Sequence, residues 1–469
     1  MRVFVIIFML LVVSTMNAQI LIPMDHTQTD HLKAYGVAFE ALKMDIPVRW
    51  LLNYRGGSFL MDVAAPISNL CRVRGVSYEL ITVADIQNIY NTIAENNMEV
   101  IVLEKEPRIA VYIPPHANPW SDAVSNVLRY AEIEFDTLWD EEVLAGKLNE
   151  YDWLHLHHED FTGQFGKFFG SFRNAQWYQD EVRINEAMAA RLGFPSVWRL
   201  KHEVAERIRQ FVVNGGFLFA MCSAPETIDI ALAFYGVDIV EEVYDGTPVD
   251  PNFMSKVDFT RTFAFENFTL ITSPFIYAFS SIDASDYVRM RGPEADFFQL
   301  FSFSAKFDPV PTMLVQNHTN VVNGFMGQTT AFREQYIKRS VIILGKTPGT
   351  EEAKYIHGNV GQGTFTFLGG HDPEDYAHRV GDPSPVVALF KNSPGYRLIL
   401  NNVLFPAAEK RKLKTRFDRE SEYFVVNKIN SLLLNNFLVS SLKLEHAEEG
   451  ATKQESTSRW LCHCRTKYE

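Results

Sequence analysis

The junction at residues 217–222 constrains this chain more than any other feature. Five apolar residues, Phe217-Leu218-Phe219-Ala220-Met221, follow the pair Gly215-Gly216 and run directly into Cys222, Ser223, Ala224 and a helix-like segment. A short apolar run bounded by turn residues reads as a buried strand, and a buried strand feeding a helix is the repeating unit of parallel α/β sheets. The thiol at such a turn is expected at the sheet edge, facing a helix N-terminus whose partial positive charge favours thiolate. A second strand-like run, residues 364–368, ends in Gly369-Gly370-His371-Asp372-Pro373-Glu374-Asp375. Together the two motifs could supply a nucleophile, a base and a carboxylate that orients the base.

The same alternation extends along the chain. Residues 20–24 and 48–53 read as strands around a helix over 31–43, whose Leu32, Tyr35, Phe39 and Leu42 share one side. A turn at Arg55-Gly56-Gly57-Ser58 and a helix over 83–96 complete an N-terminal α/β region, 19–106. A new unit starts near Pro107, with strands over 109–113, 135–139 and 153–157 and helices over 122–131 and 141–148. After an aromatic, polar stretch at 161–180, an amphipathic helix over 202–213 stops at Asn214-Gly215-Gly216. Residues 231–304 break the rhythm and read as an irregular or β-rich insertion, before a β-meander over 341–368 and a final helix over 394–405. The pattern predicts an α/β fold with a parallel sheet and helices on both faces in a domain spanning 107–407. Residues 408–469 are expected to form a charged, poorly ordered tail.

The bulk numbers bound the function. A chain of 469 residues, 47% hydrophobic and 22% charged, builds one large or two ordinary globular domains. Its net charge of −13 argues against nucleic acid as a partner. Arg2, an apolar run over 3–13 and small or polar residues over 14–18 have the form of a secretory signal peptide ending at Ala18. The expected destination is therefore export, to the periplasm or the extracellular space, with no integral membrane span after signal removal. Four cysteines, Cys71, Cys222, Cys462 and Cys464, are too few for a disulfide scaffold. A Cys71–Cys222 bridge, allowed in an oxidising compartment, would remove the nucleophile.

A third polar cluster, His155-Leu156-His157-His158-Glu159-Asp160, ends the strand at residue 153 onward. In open α/β sheets ligands bind outside the carboxyl ends of the strands, so these three clusters are expected around one crevice. In the first reading the Cys222 thiolate attacks a carbonyl, His371 shuttles the proton, and Glu374 or Asp372 holds the imidazole tautomer. Backbone N–H groups after Cys222 would stabilise the oxyanion. In the second, His157, His158 and Glu159 hold Zn²⁺, with His371 or Asp372 completing the set. In the third, these are structural polar residues bordering the cleft of a binding module. No Walker loop or dinucleotide fingerprint occurs, so no nucleotide cofactor is expected.

The stretch Ala220-Met221-Cys222-Ser223-Ala224, together with His371 to Glu374, resembles the class I glutamine amidotransferase-like superfamily. The elbow there is Gly-x-Cys-x-Gly, with alanine here in place of both glycines, and the His-x-Glu pair carries one additional residue here. The run from Gly363 to His371 is similar to the trehalose-utilisation branch. The resemblance implies a flavodoxin-like sheet with Cys222, His371 and Glu374 or Asp372 as site residues. Residues 20–408 are also similar, through residues 51–59, 151–163, 325–333 and 369–383, to exported bacterial proteins labelled asparagine synthetase B. That similarity implies a small-molecule, carbohydrate or amide substrate and hydrolysis or transfer at a C–N bond. The Ser-Gly-Gly-x-Asp-Ser loop of ATP-dependent synthesis is missing, so synthesis itself is not expected.

Overall fold

The computed structural model describes residues 19–114, 122–285, 292, 296–376 and 383–409. The signal-peptide reading, Cys462, Cys464 and nearly all of the tail fall outside these residues. Among them, no helix is long and apolar enough to cross a membrane.

The N-terminal region is built from β1 (Gln19–Ile22), α1 (His31–Lys43), β2 (Val48–Leu52), β3 (Ser58–Asp62), α2 (Ala65–Arg74), β4 (Glu79–Ile81), α3 (Val83–Glu95) and β5 (Glu99–Leu103). Its strands lie in the order β4-β1-β3-β2-β5, every pair antiparallel. The turn at residues 53–57 accounts for the β2–β3 pair. It is short and carries positive φ at Asn53, Arg55, Gly56 and Gly57, so the strands it joins can pair only as a hairpin. The β-α-β reading of this region missed Phe59-Leu60-Met61 as a strand, because three consecutive apolar residues carry no period.

The second sheet holds β6 (Ile109–Tyr112), β7 (Asp136–Leu138), β8 (Trp153–Leu156), β9 (Phe217–Met221), β10 (Phe297–Leu300), β11 (Val321–Asn323), β12 (Phe332–Arg333), β13 (Ile342–Lys346), β14 (Glu352–Val360) and β15 (Gly363–Leu368). Its order is β11-β10-β13-β14-β15-β9-β8-β6-β7, with β12 paired to β14. Strands β7, β6, β8, β9 and β15 run parallel; β14, β13, β10 and β11 continue antiparallel. The expected parallel strands are therefore one half of a mixed sheet, to which the meander and β10–β11 add an antiparallel half, and the fold is mixed α/β. The meander supplies the antiparallel half, since short turns cannot make parallel crossovers. Strand β10 lies inside the stretch read as an insertion, so that insertion returns to the main sheet before residue 304.

Strand periodicity distributes the core. In β9, Phe217, Phe219 and Met221 join a cluster with Val127 and Leu128 of α4 (Ala123–Ala131). Leu218 and Ala220 join another with Val204, Ile208, Ile228 and Leu232, from the helices Val197–Val213 and Ala224–Ala233. Successive residues point to opposite faces, so an unbroken apolar run requires cover on both. The stretch at 161–180 contains the start of a helix, Gln176–Arg191, that the sequence reading did not separate from its polar surroundings.

Candidate metal and catalytic site

Four neighbouring strands end together. Asp122 follows β6 and caps α4, accepting from Ser125 N at 2.7 Å. His155 lies in β8, with His157, His158 and Glu159 just after it; Cys222 follows β9, and His371 and Asp372 follow β15. Backbone hydrogen bonds join the loops: Cys222 N donates to Gly370 O at 3.0 Å, Ala224 N to His157 O at 3.1 Å, and His371 N to Met326 O at 3.0 Å. Gly370 has φ +97°, and a Cβ there would stand 2.0 Å from the Phe325 carbonyl oxygen. Only glycine permits that approach.

Cys222 occupies the elbow with φ +54°, a left-handed conformation rare for a non-glycine residue. It is not at an exposed edge: it is 2% accessible. Burial pushes its thiol up to about 11, against hydrogen bonds from the backbone N–H groups of Gln328, Ser223 and Thr329. Burial therefore outweighs the helix-terminus effect expected from sequence. The Cys71–Cys222 bridge is not formed; both thiols are free and buried.

The imidazoles converge. One ligand atom from each of His157, His158 and His371 lies within 4.8 Å of the other two. The His157 and His371 ring centroids are 4.1 Å apart, and the His158 ring stacks on His371 at 5.5 Å. His371 Nδ1 lies 2.6 Å from Asp372 Oδ2. The orienting carboxylate is thus Asp372 rather than Glu374, whose Oε2 accepts from the Tyr376 hydroxyl at 3.1 Å. Glu159 is not among the three residues whose ligand atoms converge. Its Oε2 accepts from His157 N at 2.6 Å, and burial pushes its carboxyl up to about 7. His158 and Glu159 line a cleft with Gly163, Phe165 and Trp177.

Sequence reasoning missed Asp122. Its Oδ1 lies 3.8 Å from His157 Nδ1 and its Oδ2 3.7 Å from His155 Nε2. Burial opposes ionisation at Asp122, but His155 and His157 hold its carboxyl well below the usual carboxylate range. Burial would likewise depress His157, and the Asp122 carboxylate reverses that, holding His157 above its ordinary value. His155 is pushed down to about 4 by burial. In the sequence Asp122 shows only as a helix start, because an N-cap aspartate looks the same whether or not its second oxygen has other work.

Neither ring nitrogen of His157 makes a hydrogen bond, although the residue is fully buried. A buried polar atom without a partner costs about 1–3 kcal/mol, so the orphaned nitrogens fit a cluster built to hold a cation. Tetrahedral Zn²⁺ with Zn–N near 2.0–2.1 Å places its ligand nitrogens roughly 3.3 Å apart, within a small inward movement of the three imidazoles.

Fold and site together define a mixed α/β protein with a buried histidine–carboxylate cluster that could hold a metal ion. No family model matches the chain, and no curated protein does. Among solved structures, two cytoplasmic proteins of Salmonella typhimurium align over 65% and 64% of this chain and all of their own length, each at 12% identity, with TM-scores of 0.30 and 0.31. An exo-β-1,4-mannosidase from an Opitutaceae bacterium aligns over 56% of this chain and 31% of its own, at 12% identity and a TM-score of 0.22.

Proposed function

We propose that this chain is an exported, metal-assisted hydrolase of amide or related C–N bonds, built on a class I glutamine amidotransferase-like core. The observation that carries the reading is the convergence of His157, His158 and His371, from the ends of β8 and β15, with neither nitrogen of His157 within hydrogen-bond distance of a protein group. The order β7-β6-β8-β9-β15 supports the flavodoxin-like core, since it is the 2-1-3-4-5 order of that fold when counted from β6.

The three imidazoles would hold Zn²⁺, which when bound polarises a substrate carbonyl and acidifies a coordinated water. The protein's own residues do the rest. Asp372 on Nδ1 of His371 and Asp122 beside Nδ1 of His157 fix ring orientation and raise ligand basicity, as carboxylates behind zinc-bound histidines do. Glu159, on the cleft wall with a carboxyl near 7, is matched to take and return a proton at neutral pH. Hydrolysis of 4-nitrophenyl acetate by the zinc-loaded protein, abolished by chelation and restored by Zn²⁺, tests the reading. The rate should fall about 100-fold in Glu159→Gln with Zn²⁺ uptake retained, and an unchanged rate would remove Glu159 as the proton carrier. A protein that takes up no metal overturns the proposal.

A second reading, Cys222 as nucleophile, is favoured by its left-handed φ and by the three N–H groups aimed at its sulfur. Iodoacetamide separates the two. A buried, protonated Cys222 should react more slowly than a model thiol at pH 7, and Cys222→Ala should keep its hydrolytic rate. Rapid stoichiometric labelling together with loss of rate would favour the nucleophile instead.

A further inference from the structure

Resting on the metal reading above, we infer that Asp122, His155 and His157 form a second divalent-cation site, with His157 bridging the two ions through its two ring nitrogens. The three residues are buried, and one ligand atom from each lies within 4.8 Å of the others.

The hydrogen bonding of His155 shows why a proton does not suffice. Its Nδ1 faces the Phe219 carbonyl oxygen at 3.1 Å, and a carbonyl can only accept, so Nδ1 carries the hydrogen. In the neutral ring Nε2 is then an acceptor. It faces Asp122 Oδ2, a second acceptor, at 3.7 Å, and neither atom has a hydrogen-bond partner. Trp153 and Phe219 stack near the His155 ring at 6.0 and 5.5 Å, an apolar setting that disfavours a lone imidazolium. Two lone-pair donors aimed at each other in a dry interior repel unless a cation lies between them. His157 Nδ1, 3.8 Å from the other Asp122 oxygen, completes a set of one carboxylate and two imidazoles, a donor set that suits Zn²⁺. Nε2 of His157 remains for the triad with His158 and His371. Loading both ions leaves His157 as an imidazolate, so each bridge releases the one proton of the neutral ring, and a second from any ring that was imidazolium beforehand.

Elemental analysis of the full chain, stripped with chelator and reloaded with Zn²⁺, counts the ions. Two equivalents are expected, falling to one in Asp122→Asn and in His155→Gln, and to one in His158→Gln, which keeps the second site. A wild-type chain holding one equivalent that survives Asp122→Asn overturns the second site and leaves the triad standing. Two equivalents that persist in both Asp122→Asn and His155→Gln also overturn it. A chain that binds none overturns the triad as well. The wild-type protein loaded with Cu²⁺ provides a test that does not depend on variant folding. Copper ions bridged by an imidazolate couple antiferromagnetically, so the electron paramagnetic resonance signal should fall well below that of two isolated ions; a full signal overturns the bridge.

Discussion

Two histidine clusters lie among the described residues, and they are built in opposite ways. In the first, His31 stacks on His318 at 4.3 Å beside the fully buried Arg397. His31 Nδ1 meets Asn392 Oδ1 at 3.0 Å and Nε2 meets the Met24 and Asp25 carbonyls at 3.1 and 3.0 Å. Arg397 reaches His318 Nδ1 at 3.1 Å and donates to the carbonyls of Met24 and Gly56 at 2.9 and 2.8 Å. This cluster ties the final helix, Pro394–Leu404, to the loops of the N-terminal sheet. In the second cluster His157 has no hydrogen bond at either nitrogen, and carboxylates stand behind the rings. Density of histidine does not mark function. What separates the clusters is whether the fold uses up the nitrogens.

Variants should divide along that line. His371→Ala should weaken Zn²⁺ binding by more than about 100-fold, the upper range for losing even an outer partner of a metal ligand. His31→Ala should leave it unchanged in the same calorimetric titration, and equal losses would erase the distinction. Arg397→Ala should instead cost about 2 kcal/mol of stability in denaturant unfolding, by leaving buried carbonyls unpaired, with metal uptake intact. Asp372→Ala should weaken Zn²⁺ about 10-fold by freeing the His371 ring, whereas Glu374→Ala should not alter it.

The smallest effect is on pH dependence. Burial pushes His31 down to about 4 and His318 to about 3, from 6.5. Both are neutral when folded, and the unfolded chain binds protons first as pH falls. Their contribution is therefore complete above about pH 6.5 and is lost as pH drops toward 4 and 3. His157 runs the other way in the metal-free protein. Held above 6.5 by Asp122, it contributes below that pH and loses its contribution as pH rises through its folded value. Unfolding free energies measured from pH 4 to 6.5 should slope less steeply in His31→Gln than in the wild type. An unchanged slope would show that His31 is not held neutral.

The parts of the site readable from sequence were those carried by local pattern. Gly215-Gly216 and the run ending at Met221 announce a strand, and Cys222 falls at its end whatever surrounds it. His155, His157 and His158 advertise themselves by density. Asp372 and Glu374 were equivalent candidates in the sequence, two positions apart on one loop. Backbone geometry chose between them: Asp372 reaches the His371 ring, while Glu374, at φ +65°, is met by Tyr376.

The sequence by itself determined the strand-and-turn grammar: apolar runs that must be buried on both faces, and polar clusters where those runs stop. These follow from side-chain alternation and turn chemistry, which act over a few residues. Only the tertiary structure decided that β15 lies beside β9, which brings His371 to His157, and that the elbow closes over Cys222 and seals its sulfur from water. It also decided that an N-cap aspartate faces two imidazoles. Those outcomes depend on strand order and on burial, which arise from pairing between distant segments and leave no mark on the residues nearby.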